Sequence, residues 1–236
     1  MAQQDSTFLG TENISEETVQ SDTAVVSMSE NPESLDFQDF LVSGDGSCAG
    51  FWPDPHFPPI EPYRLYRFLT DLETILEEET DDALRVQKIA PIVRTLLISS
   101  DWLQMEYNPP SPKTGWGVKM LYREPKFPLT VQMVSWAPGQ RSTIHNHATW
   151  GVVALISGEE KNTLWRRSPT PEHPHAIEKV GEQHLVPGDI IGFVPDAIHC
   201  VEAMGDEPSI SFNLYGITDR PNRFQFNTSD RTAKLF

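Results

Sequence analysis

Gly139-Gln-Arg-Ser-Thr-Ile-His145-Asn-His147 reads as a β-strand entered from a turn, with two histidines near its far end. Pro138-Gly139 supplies the turn. Successive side chains along a strand point to opposite faces, so positions i and i+2 share one. His145 and His147 therefore point the same way. The period-two pattern recurs at 118–122, 130–136, 150–157, 162–167, 190–194 and 210–215. Gly158, the proline-rich 169–174, Pro187-Gly188, Pro195-Asp196 and Gly205-Asp206 cut it into short pieces. Short strands at that spacing predict a mainly β domain, a sandwich or barrel, over about 117–220.

Upstream the period changes. Leu65, Phe68, Leu69, Leu72, Ile75 and Leu76 recur every three or four residues, which predicts an amphipathic helix over about 62–79 with Pro62 in its first turn. A second helix is expected from Thr80 as N-cap, with Asp81 and Asp82 in the first turn. Its apolar positions are Val86, Ile89, Ala90, Val93, Leu96 and Leu97, and Pro91 among them predicts a kink or break. The helical pair occupies about 61–104. Residues 1–50 contain ten acidic residues and no lysine or arginine. So little apolar surface cannot offset the entropy of ordering, so a disordered acidic tail is expected, with 37–42 (FQDFLV) as the run able to dock. Four prolines among aromatics at 51–60 predict an extended linker. The division expected is a tail over 1–50 and one folded domain over 51–236.

A chain of 236 residues suits one domain with additions. Its formal charge of −16 argues against nucleic acid and anionic membrane as partners, because both need a basic face. No run approaches the roughly 20 apolar residues of a membrane span. The first residues lack both a basic-then-apolar signal and the arginines of a transit peptide. Two cysteines, Cys48 and Cys200, without a C-x-x-C fit a reducing, cytoplasmic setting.

Imidazole is largely neutral near pH 7 and is the commonest metal-binding side chain. Two imidazoles on one strand face need a third donor from another strand. His199, four residues past Pro195 at a strand entry, is the best placed. His173-Pro-His175 has the same spacing but lies among prolines in a loop, and no metal role is expected there. Cys200 adjoins His199, and alternation turns it away, as a buried structural thiol.

The segment Gly139-x5-His145-x-His147-x3-Gly151-x6-Gly158 resembles the first cupin motif, and Gly188-x6-Pro195-x3-His199 resembles the second. Pro138-Gly-Gln140, Thr149-Trp150-Gly151 and Ser211-Phe-Asn213-Leu-Tyr215 look like the thiol dioxygenases: the cysteine dioxygenase type and relatives acting on 3-mercaptopropionate. The resemblance spans about residues 60–220. It implies a cupin fold (a double-stranded β-helix, or jelly-roll barrel) behind an N-terminal pair of α-helices and the acidic tail. It also implies Fe(2+) on His145, His147 and His199, a small thiol and O2 as substrates, a sulfinate product, and a monomer or small homo-oligomer. Most cupins carry a glutamate ligand where this chain has Gly151. Its absence leaves three neutral ligands and three open positions, suited to a thiolate and dioxygen. The family's tyrosine belongs to a Ser-His-Tyr relay; Ser211, Asn213 and Tyr215 are the matching catalytic candidates. Asn213 can orient the phenol but cannot shuttle a proton. No cysteine occurs at 148–152, so no cysteine–tyrosine cross-link is expected.

The family anchors a substrate carboxylate with an arginine on the first barrel strand, where this chain has Val118. Lys119, Arg123 and Arg166 are the candidate anchors instead. Two other readings stay open. One is a metal-dependent cupin oxygenase or isomerase on a non-thiol molecule, favoured by Asn213 and the missing arginine. The other is a non-enzymatic metal- or ligand-binding cupin whose tail recruits a partner.

Overall fold

A computed structural model describes residues 37–51, 62–125, 127 and 129–236. Strands β1 (Asp39–Val42) and β2 (Cys48–Phe51) come first. Helices α1 (Leu65–Glu78), α2 (Asp82–Ser99) and α3 (Asp101–Gln104) follow. Then come β3 (Trp116–Arg123), β4 (Thr130–Trp136), β5 (Ile144–Asn146), β6 (Gly151–Ser157) and β7 (Glu159–Arg167). The chain continues through β8 (Ile177–Leu185), β9 (Ile190–Phe193), β10 (Ile198–Met204), β11 (Ser209–Tyr215), β12 (Phe224–Asn227) and β13 (Thr232–Leu235). They form two sheets, in the orders β2-β1-β9-β6-β11-β4-β3 and β13-β12-β5-β10-β7-β8.

Alternation decides how the layers meet. On the first sheet Val131, Met133, Val152, Ala154, Phe212 and Leu214 point outward, against Phe68 and Leu72 of α1 and Val86, Ile89 and Val93 of α2. The opposite face carries Val153, Leu155, Ile191 and Phe193, which meet Leu164 and Leu185 of the second sheet. The helices therefore cover one side, and the space between the sheets is left for a core that is part apolar and part polar. None of the described helices is long and apolar enough to cross a membrane.

The helices depart from expectation in three details. Helix α1 begins at Leu65 with Arg64 as its N-cap, so Pro62 precedes the helix and is not in its first turn. Asp81, not Thr80, is the N-cap of α2: its Oδ1 accepts from the Leu84 N–H at 2.9 Å. Pro91 neither ends nor splits α2, which runs unbroken to Ser99. The larger correction concerns the boundary of the acidic tail. Residues 1–36 and the proline-rich 52–61 lie outside the described residues. Residues 39–51, however, form the β1–β2 hairpin, and β1 pairs in parallel with β9. Phe40 and Val42 enter the inner core, and the Gln38 N–H donates to Asp189 Oδ1 at 2.8 Å. Asp39, 1% exposed, pairs with Arg94 of α2. Burial pushes the Asp39 carboxyl up and the Arg94 guanidinium down, against the attraction between them. The run 37–42, expected as able to dock, does so as β1; composition gave no sign that the ordered stretch continues to 51 or of its partner strand, since Asp189 lies 151 residues from Gln38.

Candidate metal centre

Strand β5 is three residues long and pairs with β10 so that His145 and His199 stand directly opposite one another. His147 lies just beyond β5, on the same face as His145. Ala148 then turns the chain in a left-handed conformation, φ 51°, and its N–H donates to the Pro195 carbonyl at 3.1 Å. That turn ties the end of the His-x-His strand to the loop that leads to His199. The three imidazoles offer donor nitrogens within 4.8 Å of one another, and all three rings are buried. His147 Nε2 and His199 Nε2 are 2.9 Å apart, close to the roughly 3.0 Å expected of two imidazoles about 2.1 Å from one ion at a right angle.

Each ring is oriented from behind. His145 Nδ1 lies 2.9 Å from the Thr143 carbonyl, which can only accept, so Nδ1 carries the proton and Nε2 is left free. His199 Nδ1 is held in the same way by Asn162 Oδ1 at 2.8 Å. His147 is sandwiched between the rings of Tyr215 (centroids 4.6 Å apart) and Phe193 (5.8 Å). Burial, offset in part by the Thr143 hydrogen bond and joined by the Arg223 charge, lowers the His145 imidazole to about 4. Burial, then the neighbouring imidazoles, push His147 and His199 well below the ordinary range. At neutral pH all three rings are therefore neutral, as metal ligation requires. The donor set fits a divalent transition metal.

Gly151 explains the missing carboxylate. A Cβ at that position would lie 2.7 Å from Cδ1 and 2.8 Å from Cε1 of Tyr215. The phenol ring occupies the space that a glutamate ligand would cross. Tyr215 donates to Asn213 Oδ1 at 2.8 Å, and Asn213 Nδ2 donates to Ser211 Oγ at 2.9 Å. Ser211, Asn213 and Tyr215 thus form one hydrogen-bonded row on the inner face of β11. Burial, helped by the Glu160 charge, keeps the Tyr215 hydroxyl protonated at any ordinary pH.

The three histidines and this row line a cavity of about 640 Å³ between the sheets. The expected substrate anchors are not there. Val118 lines the cavity, and alternation turns Lys119 to the other face, where it pairs with Glu106. Arg123 is exposed at the end of β3. Arg166, near the end of β7, is half exposed and pairs with its cross-strand partner Glu178 at 2.6 Å. Two other guanidiniums line the cavity, those of Arg141 and Arg223. Arg141 donates to the buried Cys200 sulfur at 3.1 Å. Arg223 lies 4.4 Å over the Phe236 ring, which itself stacks on His145 at 5.5 Å, and its buried Nε has no partner among the described residues. Sequence reasoning missed Asn162, Glu160 and Arg141, although Asn162 begins an expected strand and Arg141 lies inside the opening motif. Arg223 and Phe236 carried no signal, since they follow the expected end of the barrel.

No family model matches the chain. Among solved structures, the chain is similar to a cupin superfamily protein from Desulfitobacterium hafniense (15% identity, 43% of this chain and 77% of that one, TM-score 0.33). It is also similar to an uncharacterised conserved protein with a double-stranded beta-helix domain from Klebsiella pneumoniae (21% identity, 49% and 88%, TM-score 0.38). A third is oxalate oxidase in complex with the substrate analogue glycolate (12% identity, 45% of this chain, TM-score 0.33); the match spans 53%, about half, of that chain.

Proposed function

We propose that the chain is a non-haem Fe(II)-dependent dioxygenase that converts a small thiol to its sulfinate: R–SH + O2 gives R–SO2⁻ and H⁺. The observation that carries this reading is the donor set, three neutral imidazoles with the Tyr215 ring where a carboxylate ligand would stand. A ferrous ion held there would supply open positions for dioxygen and for the substrate sulfur. With no anionic protein ligand, the site keeps its positive charge for a thiolate. Phe193 and Phe236 pack on the imidazoles and keep water off them. The Tyr215 hydroxyl, oriented by Asn213, offers a hydrogen bond beside the histidines. An acidic group on the substrate would meet Arg223, whose guanidinium lines the same cavity.

An oxygen electrode tests this directly. Iron-loaded protein should consume dioxygen only when a thiol is supplied, one O2 per thiol. No uptake across a panel of small thiols ends the proposal. One observation favours a second reading, a metal-dependent cupin oxygenase or isomerase acting on a larger non-thiol molecule. The cavity of about 640 Å³ falls within the roughly 300–1,000 Å³ typical of drug-sized ligands. Stoichiometric metal without thiol-dependent uptake would leave that reading standing.

A further inference from the structure

Glu160 has no part in the reading above. It lies on β7 two residues before Asn162, so both side chains share the inner face of the second sheet. It is 2% exposed and lines the cavity. Its Oε1 accepts from the Ser209 hydroxyl across the sheets at 2.8 Å, and Ser209 is itself fully buried. None of the ion pairs among the described residues includes it. A carboxylate in so dry a place ordinarily has a cation beside it. The cavity's two guanidiniums sit beside other groups: Arg141 donates to Cys200, and Arg223 lies over Phe236 next to His145. Asn162 touches His199, and Glu160 lies about 7 Å further along the strand at ~3.3 Å per residue.

We propose that Glu160 forms a subsite for a cationic group, the ammonium of a ligand whose other end reaches the three histidines. One carboxylate, in a cavity that the Ser211 hydroxyl also lines, suits the three N–H donors of an ammonium. It does not suit a Ca²⁺ or Mg²⁺ ion, which needs about six oxygens. The subsite deepens the proposed function by selecting amine-bearing thiols over amine-free ones, and rests on that function only for the sulfur end. Burial holds the Glu160 carboxyl at about 7. At pH 7 about half the molecules carry a proton there, and an arriving ammonium displaces it: Glu–COOH becomes Glu–COO⁻, with H⁺ released to the buffer.

The test is calorimetry on the full-length, iron-loaded protein without dioxygen, in two buffers of different ionisation heat. Propylamine and 1-propanol are the probes. Propylamine should bind about tenfold more tightly than 1-propanol and release about half a proton at pH 7. Glu160→Gln should abolish both the preference and the proton release. Glu160→Asp, which keeps the charge, should retain the preference. Ser209→Ala removes the hydrogen bond that holds the carboxyl down, and should raise the proton count above one half. Equal affinity for the two probes, or a preference unchanged in Glu160→Gln, overturns the subsite. Neither probe contains sulfur, so this outcome is separate from the oxygen-electrode result: Glu160-dependent amine binding without thiol-dependent uptake sinks the thiol reading alone.

Discussion

Replacing Glu160 by glutamine should make the protein more stable at pH 8 and leave it nearly unchanged at pH 4.5. Folding raises this carboxyl from an ordinary 4.5 to about 7, because burial penalises its charge; the Ser209 hydrogen bond offsets only part of that. Between those values the folded chain holds a proton that the unfolded chain has lost. The unfolded state then binds fewer protons, and unfolding free energy falls as pH rises through the window. The gap between 4.5 and about 7, at ~1.36 kcal/mol per pH unit, amounts to about 3 kcal/mol. Glutamine carries no charge and escapes that loss, while its amide oxygen can still accept from Ser209. The histidines titrate alike in both proteins and cancel in the difference. Urea unfolding of metal-free protein, followed by tryptophan fluorescence at several pH values, gives both curves. They should coincide near pH 4.5 within about 1 kcal/mol, the worth of one altered hydrogen bond, and diverge by about 3 kcal/mol at pH 8. Parallel curves across that range would show that Glu160 is an ordinary carboxylate, and would refute the reasoning.

Other substitutions probe the rest of the frame. His147→Ala and His199→Ala should each abolish iron binding, measured by metal analysis after gel filtration, whereas His173→Ala and His175→Ala should bind iron as the parent does. Gly151→Ala places a methyl 2.7 Å from the Tyr215 ring; it should cost about 1–3 kcal/mol in urea unfolding and weaken iron retention by shifting the ring off His147. Arg94→Ala strands the buried Asp39 carboxylate, so a loss of about 3–5 kcal/mol at pH 7 is expected. Ala148→Gly relieves a left-handed alanine at φ 51° and should be stabilising or neutral, within about 1 kcal/mol, by thermal unfolding.

The histidine triad was readable because its geometry follows from two local rules. Strand alternation placed His145 and His147 on one side, and the Pro195 turn placed His199 at the start of the strand that pairs with theirs. The same rule set Ser211, Asn213 and Tyr215 in a row. Alternation alone did not tell how far along β7 the cavity reaches: Arg166, two residues past the buried Leu164, is half exposed and pairs with Glu178. Arg223, which lines the cavity, arrives from beyond β11 through a contact of long sequence separation, outside the stretch where candidates were sought. Strand β8 was invisible for another reason. Its residues are largely exposed, so burial never imposed an apolar alternation on them. Asp39 was unreadable because an aspartate in an acidic stretch looks solvated unless its arginine is known to be nearby.

The placement of β1 has a consequence for synthesis. Gln38 is made 151 residues ahead of Asp189, its partner at the start of the parallel pairing. At about 5–20 residues per second the interval is on the order of 10–30 s. For that time Phe40 and Val42, destined for the interior, sit on an unpaired edge open to any other nascent strand. The chain translated just before them is acidic, without a single lysine or arginine through residue 50, and like charge repels a second copy arriving edge to edge. A stretch whose composition looks like spare length is thus well suited to guard the first strand until the ninth is made.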